Sequence, residues 1–150
     1  NHKGRMASVA YHLFHQLQSN GSMRLFKGID GYGDGEQRRD FIYVKDVVKV
    51  NLFFLDNPKI SGVFNCGTGR SQTFNDLAKA AEQAMGYGTL EYIDFPEALK
   101  GKYQNFTEAD PAKLRQAGYT EPFADLETGV ADYYHHLKQY GGYLSRNTGR

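Results

Sequence analysis

Arg5, Ser8 and His12 are separated by three and then four residues, so a helix carrying them would turn all three to one flank. A guanidinium forks onto phosphate oxygens, and an imidazole and a hydroxyl donate beside it, which makes the trio a candidate anion site. The same residues equally suit an ordinary solvated flank, and spacing does not separate the two. Gly67-Thr68-Gly69-Arg70 is a second candidate, because it follows a short apolar run as a phosphate loop follows a strand. It lacks the third glycine of G-x-G-x-x-G and the Lys-Ser/Thr of a P-loop. A tight strand-to-helix turn accounts for its glycines.

Other chemistry-bearing residues fall short of a site. Asp30, Asp34 and Gly35 stand near positions one, five and six of a calcium loop, but Tyr32 and Phe41 occupy positions three and twelve, where calcium needs oxygen ligands. His2, His12, His15, His135 and His136 form no H-E-x-x-H and no i, i+4 histidine pair beside a carboxylate, so no metal site is expected. His15 and His136 read as solvated. Lys3-Gly4, Arg38-Arg39 and Lys100-Gly101-Lys102-Tyr103 are isolated basic spots, and Tyr103 reads by default as half-buried packing.

The elements that must position these residues alternate between helical and extended patterns. Met6, Val9, Ala10, Leu13 and Leu17 give a helix over 5–19 one apolar stripe, ended by Asn20-Gly21. Met23–Phe26 is extended, and the four glycines of 28–37 mark a loop. Arg39–Val44 is β-rich, with Asp46 as N-cap of a helix over Val47–Leu55. Val63–Cys66 reads as a short strand. Thr73 and Asp76 make a capping box for a helix with the stripe Phe74, Leu77, Ala78, Ala81, Met85. Leu90–Phe95 is a strand stopped by Pro96, Asp110-Pro111 opens a short helix, and Leu126–Leu137 gives a last one. Five helices interleaved with four short strands predict an α/β fold.

With 150 residues the chain is one ordinary domain or a piece of a larger one, and the absence of an initiator Met at Asn1 suggests a piece. Residues 1–140 read as one domain and 141–150, with two glycines and no apolar period, as a flexible tail. Eighteen basic against seventeen acidic residues are too balanced for binding driven by phosphate neutralisation, so no nucleic-acid partner is expected. Cys66 is the sole cysteine, which excludes an internal disulfide. No apolar run nears the ~20 residues of a membrane helix, and no leader is evident, so no membrane and a cytoplasmic location are expected.

Arg39-Asp40-Phe41-Ile42-Tyr43-Val44-Lys45-Asp46-Val47-Val48 resembles the signature of the C-terminal half of extended short-chain dehydrogenase/reductases that act on nucleotide sugars. Phe64–Gly69 and the Leu126-Glu127-x-Gly129-Val130 helix agree with it. The opening His2–Leu13, Leu25–Gly28 and Leu99–Thr107 resemble a narrower branch, the epimerases of ADP-activated heptose that serve lipopolysaccharide core synthesis.

That resemblance implies the substrate-binding part of such an enzyme, with the Rossmann half, its NADP site and its Tyr-x-x-x-Lys pair absent, and no activity in this piece alone. It implies Lys3 as a second catalytic acid/base, and Arg5, His12, Phe26, Lys27, Gly28, Ile29, Arg39 and Tyr103 as positions that hold the ADP-sugar. Arg5 and Ile29 stand where the pattern has serine. It also implies homo-oligomers for the full-length enzyme. The reaction implied is transient oxidation at C6 of the heptose and return of the same hydride to the other face, with an acid/base on each side. Lysine is protonated at pH 7 unless desolvated or crowded by positive charge, so Lys3 needs such an environment to act as base. Two alternatives stay open: the same half of another nucleotide-sugar epimerase or dehydratase, and a stand-alone binding module.

Overall fold

The computed structural model describes residues 7–140. Lys3, Arg5 and the expected tail at 141–150 lie outside the described residues.

Helix α1 (Val9–Asn20) begins at Ser8, whose side chain accepts the Tyr11 N–H, and buries Leu13, Phe14 and Leu17. Strand β1 (Ser22–Phe26) follows at once, with Met23 and Leu25 turned inward by the two-residue alternation of a strand. After the glycine loop come β2 (Arg38–Arg39), α2 (Val44–Asp56), β3 (Gln72–Thr73), α3 (Phe74–Met85), β4 (Thr89–Ile93), α4 (Ala112–Gln116) and α5 (Leu126–Gln139). β1 pairs in parallel with β4, from Ser22 beside Thr89 to Phe26 beside Ile93. β2 and β3 form a two-residue antiparallel pair.

Two separate apolar clusters hold these elements. The larger joins α1, β1, α3 and α5 around Phe14, Leu77, Ala81 and Tyr134. Tyr134 is fully buried, yet its hydroxyl is satisfied, donating to the Ala10 carbonyl at 2.8 Å and so tying α5 to α1. The smaller cluster sets Val50 of α2 against Leu114 and Tyr119, with Phe53, Phe54, Phe64 and Phe123 around them. α2 buries only this face. Its other side carries Val44, Val48, Leu52 and Leu55 at helical spacing, each at least half exposed.

Among the described residues the structure is the α/β arrangement of five α-helices and four short strands that the pattern predicts, with three local differences. Val63–Cys66 is not a strand: no neighbouring strand pairs with it among the described residues, and Val63 is 85% exposed. Gln72–Thr73 supplies the fourth strand instead. The β-rich run beginning at Arg39 is a strand only at Arg38–Arg39, with Arg38 and Asp40 also bonded to the backbone of 105–107, and helix α2 already starts at Val44. Asp46 is therefore in the first turn of α2 rather than its N-cap. Its buried carboxylate instead accepts the Ala124 N–H at 2.7 Å and meets Lys49 at 3.0 Å. The Thr73–Asp76 capping box forms in full, each side chain accepting the other's backbone N–H at 2.9 Å.

Candidate functional site

A cavity of about 370 Å³ opens between α1, the β1–β4 pair and the segment around Tyr103. Phe26, Phe74 and Tyr103 give it aromatic walls, and His12, Gln16, Arg24 and Gln37 its polar ones. His12 arrives from α1 and Phe26 from the end of β1, so the helix and the strand that follows it place both. Tyr103 is held by edge-on packing against Phe95, which packs in the same way on Phe26.

Arg39 is not among the residues that line the cavity, but it packs against two of its aromatic walls. Its guanidinium carbon lies 5.0 Å from the centre of the Tyr103 ring and 5.7 Å from that of Phe74. One of its N–H groups donates to the Arg38 carbonyl at 2.8 Å, and among the described residues no carboxylate pairs with it. Consecutive strand residues face opposite ways, and Arg38 shows it: its guanidinium donates to Ser71 Oγ at 3.2 Å and to the Ser71 carbonyl at 2.7 Å. Arg38 is tied to the segment that leads into β3, while the Arg39 guanidinium packs on the Tyr103 and Phe74 rings. Burial raises the Tyr103 phenol above its ordinary pKa, and the Arg39 charge pulls it partly back.

The other expected positions divide. Lys27 does not line the cavity, and its ammonium pairs with Asp94 at 2.8 Å on the surface. The Gly28 N–H donates to Asp34 Oδ1 at 2.8 Å, and a Cβ there would stand 1.9 Å from the Tyr32 carbonyl oxygen, so only glycine fits. Ile29 accepts the Tyr32 N–H through its carbonyl and also stays off the cavity wall. The flank proposed for Arg5, Ser8 and His12 loses Ser8, because its hydroxyl caps α1. His15 is packed rather than solvated, stacked edge-on against Tyr11 and Phe14, and burial followed by the nearby His12 lowers its pKa. His136 is likewise engaged, 3.1 Å from Lys45 Nζ beside Asp132.

Gln16, Arg24, Gln37 and Phe74 were not among the expected positions. Gln16 was within reach of sequence reasoning, since it lies one helical turn beyond His12. It also accepts the Arg24 N–H at 2.7 Å, which fixes α1 to β1 along the cavity edge.

The glycine turn at 67–69 does not fit a dinucleotide phosphate. Its donors are taken: Asp40 accepts from Thr68 N–H at 2.9 Å, Thr68 Oγ1 at 2.6 Å, Gly69 N–H at 3.0 Å and Ala109 N–H at 3.1 Å. A Cβ at Gly67 would come 2.7 Å from the same carboxylate. An anion brought there would meet Asp40 first. Among the described residues there is no group of three metal-ligating side chains and no helix long and apolar enough to cross a membrane.

Comparison with known proteins bears on what this cavity belongs to. Residues 1–67 match the NAD dependent epimerase/dehydratase family. That match places this stretch within the family. The chain is 53% identical over 153 residues to an ADP-L-glycero-D-manno-heptose-6-epimerase of Thiobacillus denitrificans, covering 92% of this chain and 46% of that protein. It is 55% identical over 132 residues to the enzyme of the same name from Alkalilimnicola ehrlichii, covering 88% and 41%. The chain thus spans less than half the length of these curated relatives. Among solved structures of the family's fold, the ADP-L-glycero-D-manno-heptose-6-epimerase of Helicobacter pylori overlays with a TM-score of 0.71 at 27% identity, over 92% of this chain and 39% of that one. The UDP-glucose 4-epimerase of Thermotoga maritima, solved with UDP-glucose, overlays equally at 0.71 and 29%, over 89% and 40%.

Proposed function

We propose that this chain is the ADP-sugar-binding half of an NADP-dependent ADP-glyceromanno-heptose 6-epimerase, inactive alone, in which residues 1–140 form the substrate domain. The observation that carries the reading is the cavity that assembles His12, Phe26 and Tyr103, with Arg39 stacked on its wall. Its aromatic sides suit a planar base, and the Arg39 fork suits a diphosphate. The identities of 53% and 55% to enzymes named for ADP-heptose favour that sugar nucleotide over others.

Bound in the remaining half of such an enzyme, NADP would supply reversible hydride transfer. The chain's own part is to bind and orient the substrate and, through Lys3, to exchange a proton at the C6 hydroxyl. The open apolar stripe of Val44, Val48, Leu52 and Leu55 supports a further partner, which we assign to that other half. The reading includes a cytoplasmic homo-oligomer in lipopolysaccharide heptose synthesis, with no nucleic-acid or membrane partner.

A second reading, another nucleotide-sugar epimerase or dehydratase, is supported by the equal overlay on a UDP-glucose 4-epimerase. Incubating the full-length protein with ADP-heptose and with UDP-glucose separates the two. Epimerisation of the ADP-sugar supports the first; turnover of the UDP-sugar alone refutes it.

A further inference from the structure

None of the twelve residues that line the cavity is acidic, and Arg24 is the one that carries a permanent positive charge. Arg24 is also exposed, which sets it at the mouth rather than on the floor. Among the described residues its side chain makes no ion pair and no hydrogen bond, and no ring stacks on its guanidinium. Glu91 is its neighbour in the β1–β4 register, yet the two form no ion pair. Residues 1–6 and 141–150 contain no Asp or Glu that could form one. The backbone of Arg24 is fixed by contrast. Its N–H donates to Gln16 Oε1 at 2.7 Å, and Met23 and Leu25 on either side of it are buried. His12, one helical turn before Gln16, lines the same cavity. A cation without a carboxylate, carried on a rigid strand at the mouth of an acid-free cavity, suits an anionic ligand.

Resting on the reading of the cavity as an ADP-sugar site, we propose that Arg24 is a second cation for the diphosphate, acting at the cavity mouth beside His12. The diphosphate of a sugar nucleotide is charged on both phosphates, and one guanidinium forks onto the oxygens of only one. Arg39, held on the Tyr103 and Phe74 rings, serves one phosphate, and Arg24, carried by β1, serves the other. What fixes the two guanidinium groups differs. Stacking orients that of Arg39, so its flat shape counts there. No ring holds that of Arg24, so its charge counts for more than its shape. Its position at the solvent edge also makes its attraction sensitive to salt. An arginine keeps its proton at neutral pH, so Arg24 binds the substrate and takes no part in proton exchange at C6.

The test is calorimetric titration of the full-length protein with ADP at low and at high salt, comparing wild type with Arg24→Met, Arg24→Lys and Tyr103→Ala. Arg24→Met keeps an unbranched side chain and removes the charge. It is expected to weaken ADP about tenfold at low salt and much less at high salt, where exposed charges are screened. Arg24→Lys retains the charge and is expected to keep most of the wild-type affinity, unlike lysine at a stacked position. Tyr103→Ala is expected to weaken ADP at both salt concentrations, because ring contact is not screened. The Arg24 side chain holds no other element of the fold, and its backbone bond to Gln16 persists in each variant. ADP binding by Arg24→Met equal to wild type at low salt, or a loss that salt does not change, overturns the role of Arg24. If Tyr103→Ala still weakens ADP in that case, the cavity assignment stands without it. If Tyr103→Ala and Arg24→Met both bind as wild type, or wild type binds no ADP, the cavity assignment falls with it.

Discussion

The Arg39 guanidinium stands over the Tyr103 ring, 5.0 Å from its centre, although 64 positions of sequence separate the two. A flat cation on a ring face keeps one orientation, and with no carboxylate beside it among the described residues its charge remains available to a ligand. Arg39→Lys is expected to behave like Arg39→Ala in ADP binding, each losing roughly ten- to a hundredfold, because an ammonium neither stacks nor forks. Tyr103→Phe retains the stacking face and is expected to bind as wild type. Isothermal titration of the three variants checks this.

Asp40 organises the 67–69 turn rather than any ligand. Replacing it with alanine leaves the N–H groups of Thr68, Gly69 and Ala109 without their acceptor. Chemical denaturation is expected to show a loss of roughly 2–4 kcal/mol for Asp40→Ala, the range for stranding several partly buried donors of a carboxylate. Stability unchanged by the substitution would contradict the role.

Acid is expected to destabilise the fold in two stages. His15 has a folded pKa below its ordinary value of about 6.5, so the unfolded chain takes its proton first and stability begins to fall below that pH. Asp132, held down by Lys45 and Tyr43, and Asp125, held down by Thr128 at the start of α5, follow. Their carboxyl groups are protonated more readily unfolded than folded. The stability they contribute is complete above the ordinary carboxylate range of about 4 and lost as pH falls through their lower folded values. Asp125 is exposed and Asp132 about one-third exposed, so salt should blunt the second stage. Thermal melting from pH 8 to 3 should show both stages, and His15→Gln should remove the first alone.

Lys3 is expected to act on the substrate rather than on the fold. Lys3→Ala in the full-length protein should lower epimerisation by about 10²–10⁴-fold, the usual loss of one positioned acid/base, with NADP binding retained. Wild-type turnover by the variant would remove Lys3 from the mechanism.

How much of this was legible beforehand follows from which forces act locally. The Thr73–Asp76 box and the stripes of α3 and α5 depend on residues within four positions of one another, and they form as the spacing predicts. Val63–Cys66 has the composition of a strand, but a strand also needs a neighbour, and none of the described residues supplies one. Asp46 has the composition of an N-cap, but its carboxylate is drawn to Ala124, 78 positions away, which no local pattern can announce. The cavity shows the same division. His12, Phe26, Arg39 and Tyr103 were assigned through family resemblance, and their meeting depends on how β1 and β2 lie against the Phe95–Tyr103 packing.

The cavity as the seat of the ADP-sugar is tested most directly by determining the structure of the full-length protein with ADP-heptose bound. The diphosphate is expected within hydrogen-bond reach of Arg39 and His12, with the adenine between Phe26 and Tyr103. A nucleotide seated elsewhere, with this cavity empty, would contradict the account.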